Sequence, residues 1–320
     1  MNRVGDSNES TNKGYCYDVY MYSKKIDRNH PAAIMLLLDQ SLSMKLPWDN
    51  LNDVDDTAEL LNLLAEDFEQ VAPDDHRTRS NRLAELTNAF IRELILSSTF
   101  DDEVRPYFHL AVIGYGGEDD VTSLLDGTSI EEPFIPINKL HEPTVQETTD
   151  SSGRLRRRLQ WIEPKSGGST PMFGALGFAR EALMGWVLEH SESFPPIVFN
   201  ITDGEPTDLD IEDSDDYSEF VLMSNEIRSL STADGCALLF SALISNVDMA
   251  PQMYPSIKPQ DDLAAALLFE TSSILPENLR VNAESIGLRI GKGGKCFIFK
   301  ADSESLIGML NIGTLATQFL

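Results

Sequence analysis

The 320-residue sequence has few cysteines and no long apolar run. Its three cysteines, Cys16, Cys236 and Cys296, lack the spacing of a metal site or a disulfide framework, so we expect buried thiols in a reducing compartment. No stretch approaches the roughly 18 apolar residues that span a bilayer, and the N-terminal segment lacks the apolar core of a signal peptide. These absences predict a cytoplasmic protein that does not enter a membrane.

Basic residues are also scarce, and this limits the classes of partner. Lys plus Arg number 25 against 52 Asp plus Glu, which gives a formal net charge of −27 at pH 7. Such a chain repels phosphate backbones and anionic membrane surfaces, so we expect neither nucleic acid nor a membrane as its partner. An apolar fraction of 42% is nevertheless ample for a large buried core.

Short apolar runs alternate with helical patterns, which is the order expected of a doubly wound α/β domain. Most runs are continuous, as in strands of a mainly parallel central sheet that are covered by helices on both faces. The predicted strands are residues 32–39, 107–117, 195–204, 236–245 and 295–301. The predicted helices are residues 83–98, 170–191, 217–232 and the C-terminal segment from Ser303.

The predicted domain covers residues 30–320 and follows a polar N-terminal extension at residues 1–29. An acidic segment at about 44–81 interrupts it, and its apolar residues recur at helical spacing. We interpret this segment as an inserted amphipathic helix. Because it begins directly after Ser43, it either gates a site there or packs on the side of the domain.

A second irregular segment, residues 118–166, is rich in turn-forming and charged residues. It contains the basic run RLRRR at 154–158 in an otherwise acidic chain. We interpret this run as the solvated face of a short helix, with a docking patch for an acidic partner as the alternative.

Oxygen-bearing side chains cluster in three loops. They are Asp39, Ser41 and Ser43 after the first strand, Thr170 after a glycine-rich turn, and Asp203 at the end of a later strand. Taken singly, such residues are most often helix caps or turns. In an open parallel sheet, however, ligands bind beyond the carboxyl ends of the strands, where these loops should converge. Hydroxyls and carboxylates suit a hard cation such as Mg²⁺, Mn²⁺ or Ca²⁺.

The order of these motifs resembles the metal-ion-dependent adhesion site of von Willebrand factor A domains, here of a bacterial, intracellular type. The resemblance rests on DxSxS after an apolar strand, a later threonine after a glycine-rich turn and TDG after another strand, and it spans about residue 30 to the C-terminus. It implies that Ser41, Ser43 and Thr170 reach the metal directly, while Asp39 and Asp203 hold it largely through water. A leucine stands at position 42, where the family commonly has glycine.

The implied function is metal-dependent binding of a protein partner rather than catalysis. A cation held mainly by neutral hydroxyls keeps much of its charge and an open coordination position, which an Asp or Glu of a partner would fill. An adaptor or regulatory subunit fits this chemistry. An alternative is a subunit of an assembly with an AAA+ ATPase or chelatase, or with a kinase or phosphatase.

The enzyme alternative is Mg²⁺-dependent phosphoryl transfer of the haloacid-dehalogenase kind, which also starts from a strand that ends in Asp. That chemistry needs a second carboxylate two residues on, and position 41 is a serine. The glycine-rich run at 287–295 lacks the spacing of a phosphate-binding loop, and we expect it to lead the chain into the last strand. No grouping of Ser, His and Asp residues that would indicate a hydrolase stands out in the sequence.

Overall fold

The computed structural model describes residues 22–48, 78–117, 119–149, 155–245, 250–285 and 288–314. Its strands are β1 (Ala32–Asp39), β2 (Thr99–Phe100), β3 (Glu103–Val104), β4 (Phe108–Gly116), β5 (Asp119–Ser123), β6 (Ile135–Pro136), β7 (Thr144–Thr149), β8 (Leu155–Gln160), β9 (Ile197–Thr202), β10 (Leu238–Ile244), β11 (Gln252–Met253) and β12 (Phe297–Ala301). Its α-helices are α1 (Arg79–Ser97), α2 (Met172–Glu189), α3 (Ser214–Ser229), α4 (Leu263–Thr271), α5 (Glu277–Ser285) and α6 (Ser303–Thr314).

An eight-stranded sheet forms the centre of the molecule, in the order β11-β12-β10-β9-β1-β4-β5, with β6 also paired to β4. The inner strands β12, β10, β9, β1 and β4 are parallel, and β11, β5 and β6 are antiparallel additions at the two sides. Every residue of β1 is buried, as its continuous apolar sequence predicts. The carboxyl ends of β1 and β9 therefore lie side by side in the middle of the sheet.

Two apolar cores cover the sheet, one on each face. In β1, Ile34 and Leu36 belong to one core, and Met35 and Leu37 belong to the other, because successive side chains of a strand point to opposite faces. Helices α1, α5 and α6 contribute to the first core, and α2, α3 and α4 contribute to the second. The predicted class, a doubly wound α/β fold with a mainly parallel sheet, is confirmed.

The five predicted strands and four predicted helices are present, but the helical interpretation of the basic run is wrong. Leu155–Gln160 forms strand β8, which pairs with β7 as an antiparallel hairpin outside the central sheet. Arg157 lies opposite Glu147, and its Nε donates to a carboxylate oxygen of Glu147 at 2.9 Å. Such cross-strand pairs of opposite charge stabilise a solvated ribbon. Helices α4 and α5 were not predicted from the sequence.

The inserted helix predicted at about 44–81 lies mostly outside the described residues and stays a prediction. The residues just before and just after the range 49–77 contact each other. Pro47 forms an isolated antiparallel bridge with Thr78, and the Arg79 N–H donates to the Leu46 carbonyl at 2.9 Å. Both ends of the segment therefore lie beside the loop that carries Ser43.

Part of the predicted polar extension contacts the domain. Tyr22 and Ile26 are buried in the core, and the backbone N–H groups of Ser23 and Lys24 donate to the carboxylate of Asp234. Residues 1–21 lie outside the described part of the chain.

Cys236 and Cys296 are buried, as expected, and Cys16 lies outside the described residues. Cys236 is disulfide-bonded, whereas Cys296 is a buried free thiol. In the described part of the chain, no helix has both the length and the apolar character needed to cross a membrane.

Adjacent glycines give a matched test of the loop that precedes α2. Gly168 has φ +68°, and a Cβ added there would lie 2.3 Å from the carbonyl oxygen of Gly117, whereas at Gly167 the nearest atom would be 4.0 Å away. We expect Gly168→Ala to lower the free energy of unfolding by about 1–3 kcal/mol through strain and displaced backbone. Gly167→Ala should change it by less than about 0.5 kcal/mol. Urea denaturation of both variants measures the difference, and equal effects would contradict the assigned loop geometry.

Candidate metal centre

The candidate centre lies where β1 and β9 end next to each other. Leu38 pairs with Ile201 in the parallel register, so Asp39 and Thr202 are the next neighbours along the two strands. The Thr202 hydroxyl donates to Oδ2 of Asp39 at 2.6 Å. Strand pairing thus holds the buried Asp39 carboxylate at the edge of the sheet.

A continuous chain of hydrogen bonds joins four of the five predicted ligands. Oδ1 of Asp39 accepts from the Ser41 backbone N–H at 2.7 Å. The hydroxyl oxygens of Ser41 and Ser43 lie 3.0 Å apart, and the Ser43 hydroxyl donates to Oδ1 of Asp203 at 2.6 Å. Two loops that are 160 residues apart in the chain therefore meet through their oxygen atoms.

Thr170 lies in the neighbouring loop and is held there by backbone contacts. The Gly167 N–H donates to the Gln40 carbonyl at 2.8 Å, and the Leu42 N–H donates to the Gly168 carbonyl at 3.2 Å. These bonds place the loop of Thr170 against the loop that carries both serines. Among the hydrogen bonds of the described residues, none joins the Thr170 hydroxyl to the other four predicted ligands.

Three residues that support the centre were missed by sequence reasoning. Thr202 belongs to the TDG motif and was identifiable from it, but Asp208 and Arg79 stand in no recognised motif. Asp208 accepts hydrogen bonds from the N–H groups of Phe173 and Gly174 and so caps the start of α2 after Thr170. The Arg79 guanidinium contacts Oδ2 of Asp203.

The centre is buried and negatively charged. Asp39 is 1% exposed, and burial together with the nearby charge of Asp203 raises the pKa of its carboxyl from 3.8 to about 6, against the opposing effect of its hydrogen bonds. Taken together, the carboxylates of Asp39 and Asp203 and the guanidinium of Arg79 carry a net negative charge. Additional positive charge would therefore stabilise the ionised form of Asp39.

The available oxygen ligands fit a hard divalent cation. The five predicted ligands offer two carboxylates and three hydroxyls, which are the oxygen ligands that Mg²⁺, Mn²⁺ and Ca²⁺ accept. Within the described residues, no group of three or more His, Cys, Asp or Glu side chains is arranged to hold a metal ion. A cation at the predicted centre would therefore be held by serine and threonine hydroxyls as well as by the two carboxylates.

Comparison with known proteins identifies similar folds without a family assignment. No protein-family model and no curated protein sequence matches this chain. The vWF domain of the type V pili tip protein Mfa5 from Porphyromonas gingivalis is 10% identical with a TM-score of 0.44, over 91% of this chain and 95% of that one. A structure of three N-terminal domains of Mfa5 is 13% identical with a TM-score of 0.27, over 55% of this chain and 20% of that one.

The pilus adhesin RrgA from Streptococcus pneumoniae is also similar, at 16% identity and a TM-score of 0.27, over 59% of this chain and 22% of that one. The chain therefore spans about a fifth of the Mfa5 three-domain structure and of the RrgA structure. At TM-scores of 0.27 to 0.44, these similarities carry no argument about function.

Replacing Asp39 by Asn should stabilise the metal-free protein at neutral pH. The raised pKa means that the folded state holds its proton more tightly than the unfolded state, so stability is lost as pH rises from 3.8 through about 6. Asparagine keeps the shape without the charge, and we expect a gain of about 1–3 kcal/mol at pH 7 in EDTA that disappears near pH 4. Urea denaturation at the two pH values measures this gain. A variant that is less stable than the wild type at pH 7 would contradict the cost assigned to the buried charge.

Proposed function

We propose that this protein is a metal-dependent protein-interaction module of the von Willebrand factor A type. Its cation, Mg²⁺ or another hard divalent ion, binds at the candidate centre, and an Asp or Glu of a partner protein completes the coordination. The observation that carries the proposal is the hydrogen-bonded series from Asp39 through Ser41 and Ser43 to Asp203. Its oxygen atoms come from two strand ends and lie at the place where ligands of parallel sheets bind.

In this proposal the hydroxyls of Ser41, Ser43 and Thr170 hold the cation, and Asp39 and Asp203 orient it through water or through the serines. A cation bound in this way supplies a positive charge with an open position for an anionic group. The contacts already made by the two aspartates support this division, because each carboxylate is anchored by neighbouring hydrogen-bond donors.

The geometry gives less support to the phosphoryl-transfer alternative. Both oxygens of Asp39 accept hydrogen bonds, and the residue is almost fully buried, whereas a nucleophilic carboxylate must reach its substrate. Position 41, where that chemistry needs an acid or base, is a serine whose hydroxyl contacts Ser43. An interaction module uses the same residues without requiring either role.

The partner is proposed only by its chemistry, as a protein with an accessible acidic side chain. We propose that the protein works with this partner in a regulatory assembly that contains an AAA+ ATPase, a chelatase, a kinase or a phosphatase.

The serine hydroxyls should be required for cation binding. We expect titration calorimetry with Mg²⁺ or Mn²⁺ to detect binding to the wild type, and Ser41→Ala combined with Ser43→Ala to weaken it by about tenfold or more, since two neutral ligands are lost. Ser218→Ala is the matched control, because this exposed serine of α3 only donates to its own helix. Unchanged affinity in the double variant would assign the cation to another place.

Partner binding should depend on the same atoms. We expect EDTA to release the proteins that immobilised wild type captures in Mg²⁺. The double variant Ser41→Ala, Ser43→Ala should not capture these proteins, and the control Ser218→Ala should capture them normally. Quantitative mass spectrometry of the eluates measures this dependence. If no captured protein depends on both the cation and the two serines, the proposed metal bridge is wrong.

A further inference from the structure

A positively charged side chain already lies at the candidate centre. The Arg79 guanidinium contacts Oδ2 of Asp203, and the exposed fractions of the two side chains are 8% and 0%. By comparison, the side chains of the surface pair Arg157 and Glu147 are 70% and 49% exposed. Solvent therefore screens the surface pair strongly and the Asp203 pair only weakly.

Arg79 and a divalent cation would use the same carboxylate. Oδ1 of Asp203 accepts from the Ser43 hydroxyl, and Oδ2 is paired with Arg79, so both oxygens already have donors. A cation that binds Asp203, directly or through water, must either displace the guanidinium or lie close to its positive charge. Both outcomes cost free energy in a poorly solvated site. Arg79 therefore lowers the affinity of the centre for cations.

The backbone of Arg79 is fixed to the loop that carries Ser43, whereas its side chain is long. Arg79 is the first residue of α1, and its N–H donates to the Leu46 carbonyl at 2.9 Å. The Leu46 N–H in turn donates to the Ser43 carbonyl at 3.0 Å. Release of Asp203 would therefore require the guanidinium to rotate about its side-chain bonds while the start of α1 stays fixed to the loop that carries Ser43.

We propose that Arg79 is a resident counter-ion that competes with the divalent cation for Asp203. The centre then has two states, one with Asp203 paired to Arg79 and one loaded with the cation. This inference rests on the proposed function in that the cation binds at this centre. Its consequence is regulatory, because Arg79 sets the cation concentration above which the acidic partner is bound.

Three variants test the competition by titration calorimetry with Mg²⁺ alone. Arg79→Met keeps an unbranched apolar stem and removes the charge, so we expect the dissociation constant to fall by about tenfold or more. Arg79→Lys keeps the charge and should stay within a few-fold of the wild type. Arg82→Met, one turn along α1 and 44% exposed, is the matched control and should not change the affinity.

A second measurement is made on the wild type, and the Arg79→Lys variant serves only to assign the signal. The ¹⁵N spectrum of arginine side chains contains one Nε–Hε signal that is missing in Arg79→Lys, which assigns it. The contact with Asp203 is made by Nη1, and the burial of the whole Arg79 side chain should protect its Nε–H from exchange in EDTA. Saturation with Mg²⁺ should shift this signal and remove the protection. Mg²⁺ binding that leaves the signal unchanged would overturn the inference.

The outcomes separate the inference from the proposed function. Equal Mg²⁺ affinity in the wild type and Arg79→Met overturns the competition and leaves the metal centre standing, and so does an Arg79→Lys affinity as high as that of Arg79→Met. If Mg²⁺ binds to Arg79→Met and not to the wild type, the competition is supported in its strongest form. No binding to any of the proteins overturns both the inference and the proposed metal centre.

Discussion

The arrangement of this protein around its candidate site depends on two aspartates whose carboxylates are buried at the edge of a parallel sheet. Asp39 ends β1 and Asp203 follows β9, and neighbouring strands bring their charges together away from solvent. Buried carboxylates are stable only when donors or positive charges surround them. The Thr202 and Ser43 hydroxyls, a backbone N–H and the Arg79 guanidinium provide that surrounding.

The loops at the site supply many of the hydrogen bonds that surround the buried carboxylates. The segment from Asp39 to Ser43 satisfies its own carboxylate, and the glycines of the loop before Thr170 allow its backbone to approach within hydrogen-bonding distance of Gln40 and Leu42. Asp208 holds the start of the helix that follows.

The basic run and the cysteines show where sequence reasoning failed and why. Residues 154–158 have too few apolar positions to separate a helical period from the alternation of an exposed strand. Only pairing with β7, where Glu147 lies opposite Arg157, decides for the hairpin. Cys236 is disulfide-bonded although the spacing of the cysteines predicts no disulfide. Pairing of cysteines depends on their distance in space, and sequence separation says little about that distance.

The sequence by itself determined the α/β class, the positions of the inner strands and the three oxygen-rich loops. Continuous apolar runs and the residues that end them are local features, and they survive in any arrangement that buries the strands. Only the tertiary structure decided that Asp39, Ser41, Ser43 and Asp203 share one hydrogen-bonded series, and that Arg79 reaches Asp203 across 124 residues of chain. The reason is physical, because the partner of a buried charge is selected by proximity in the folded core, and no local pattern encodes that proximity.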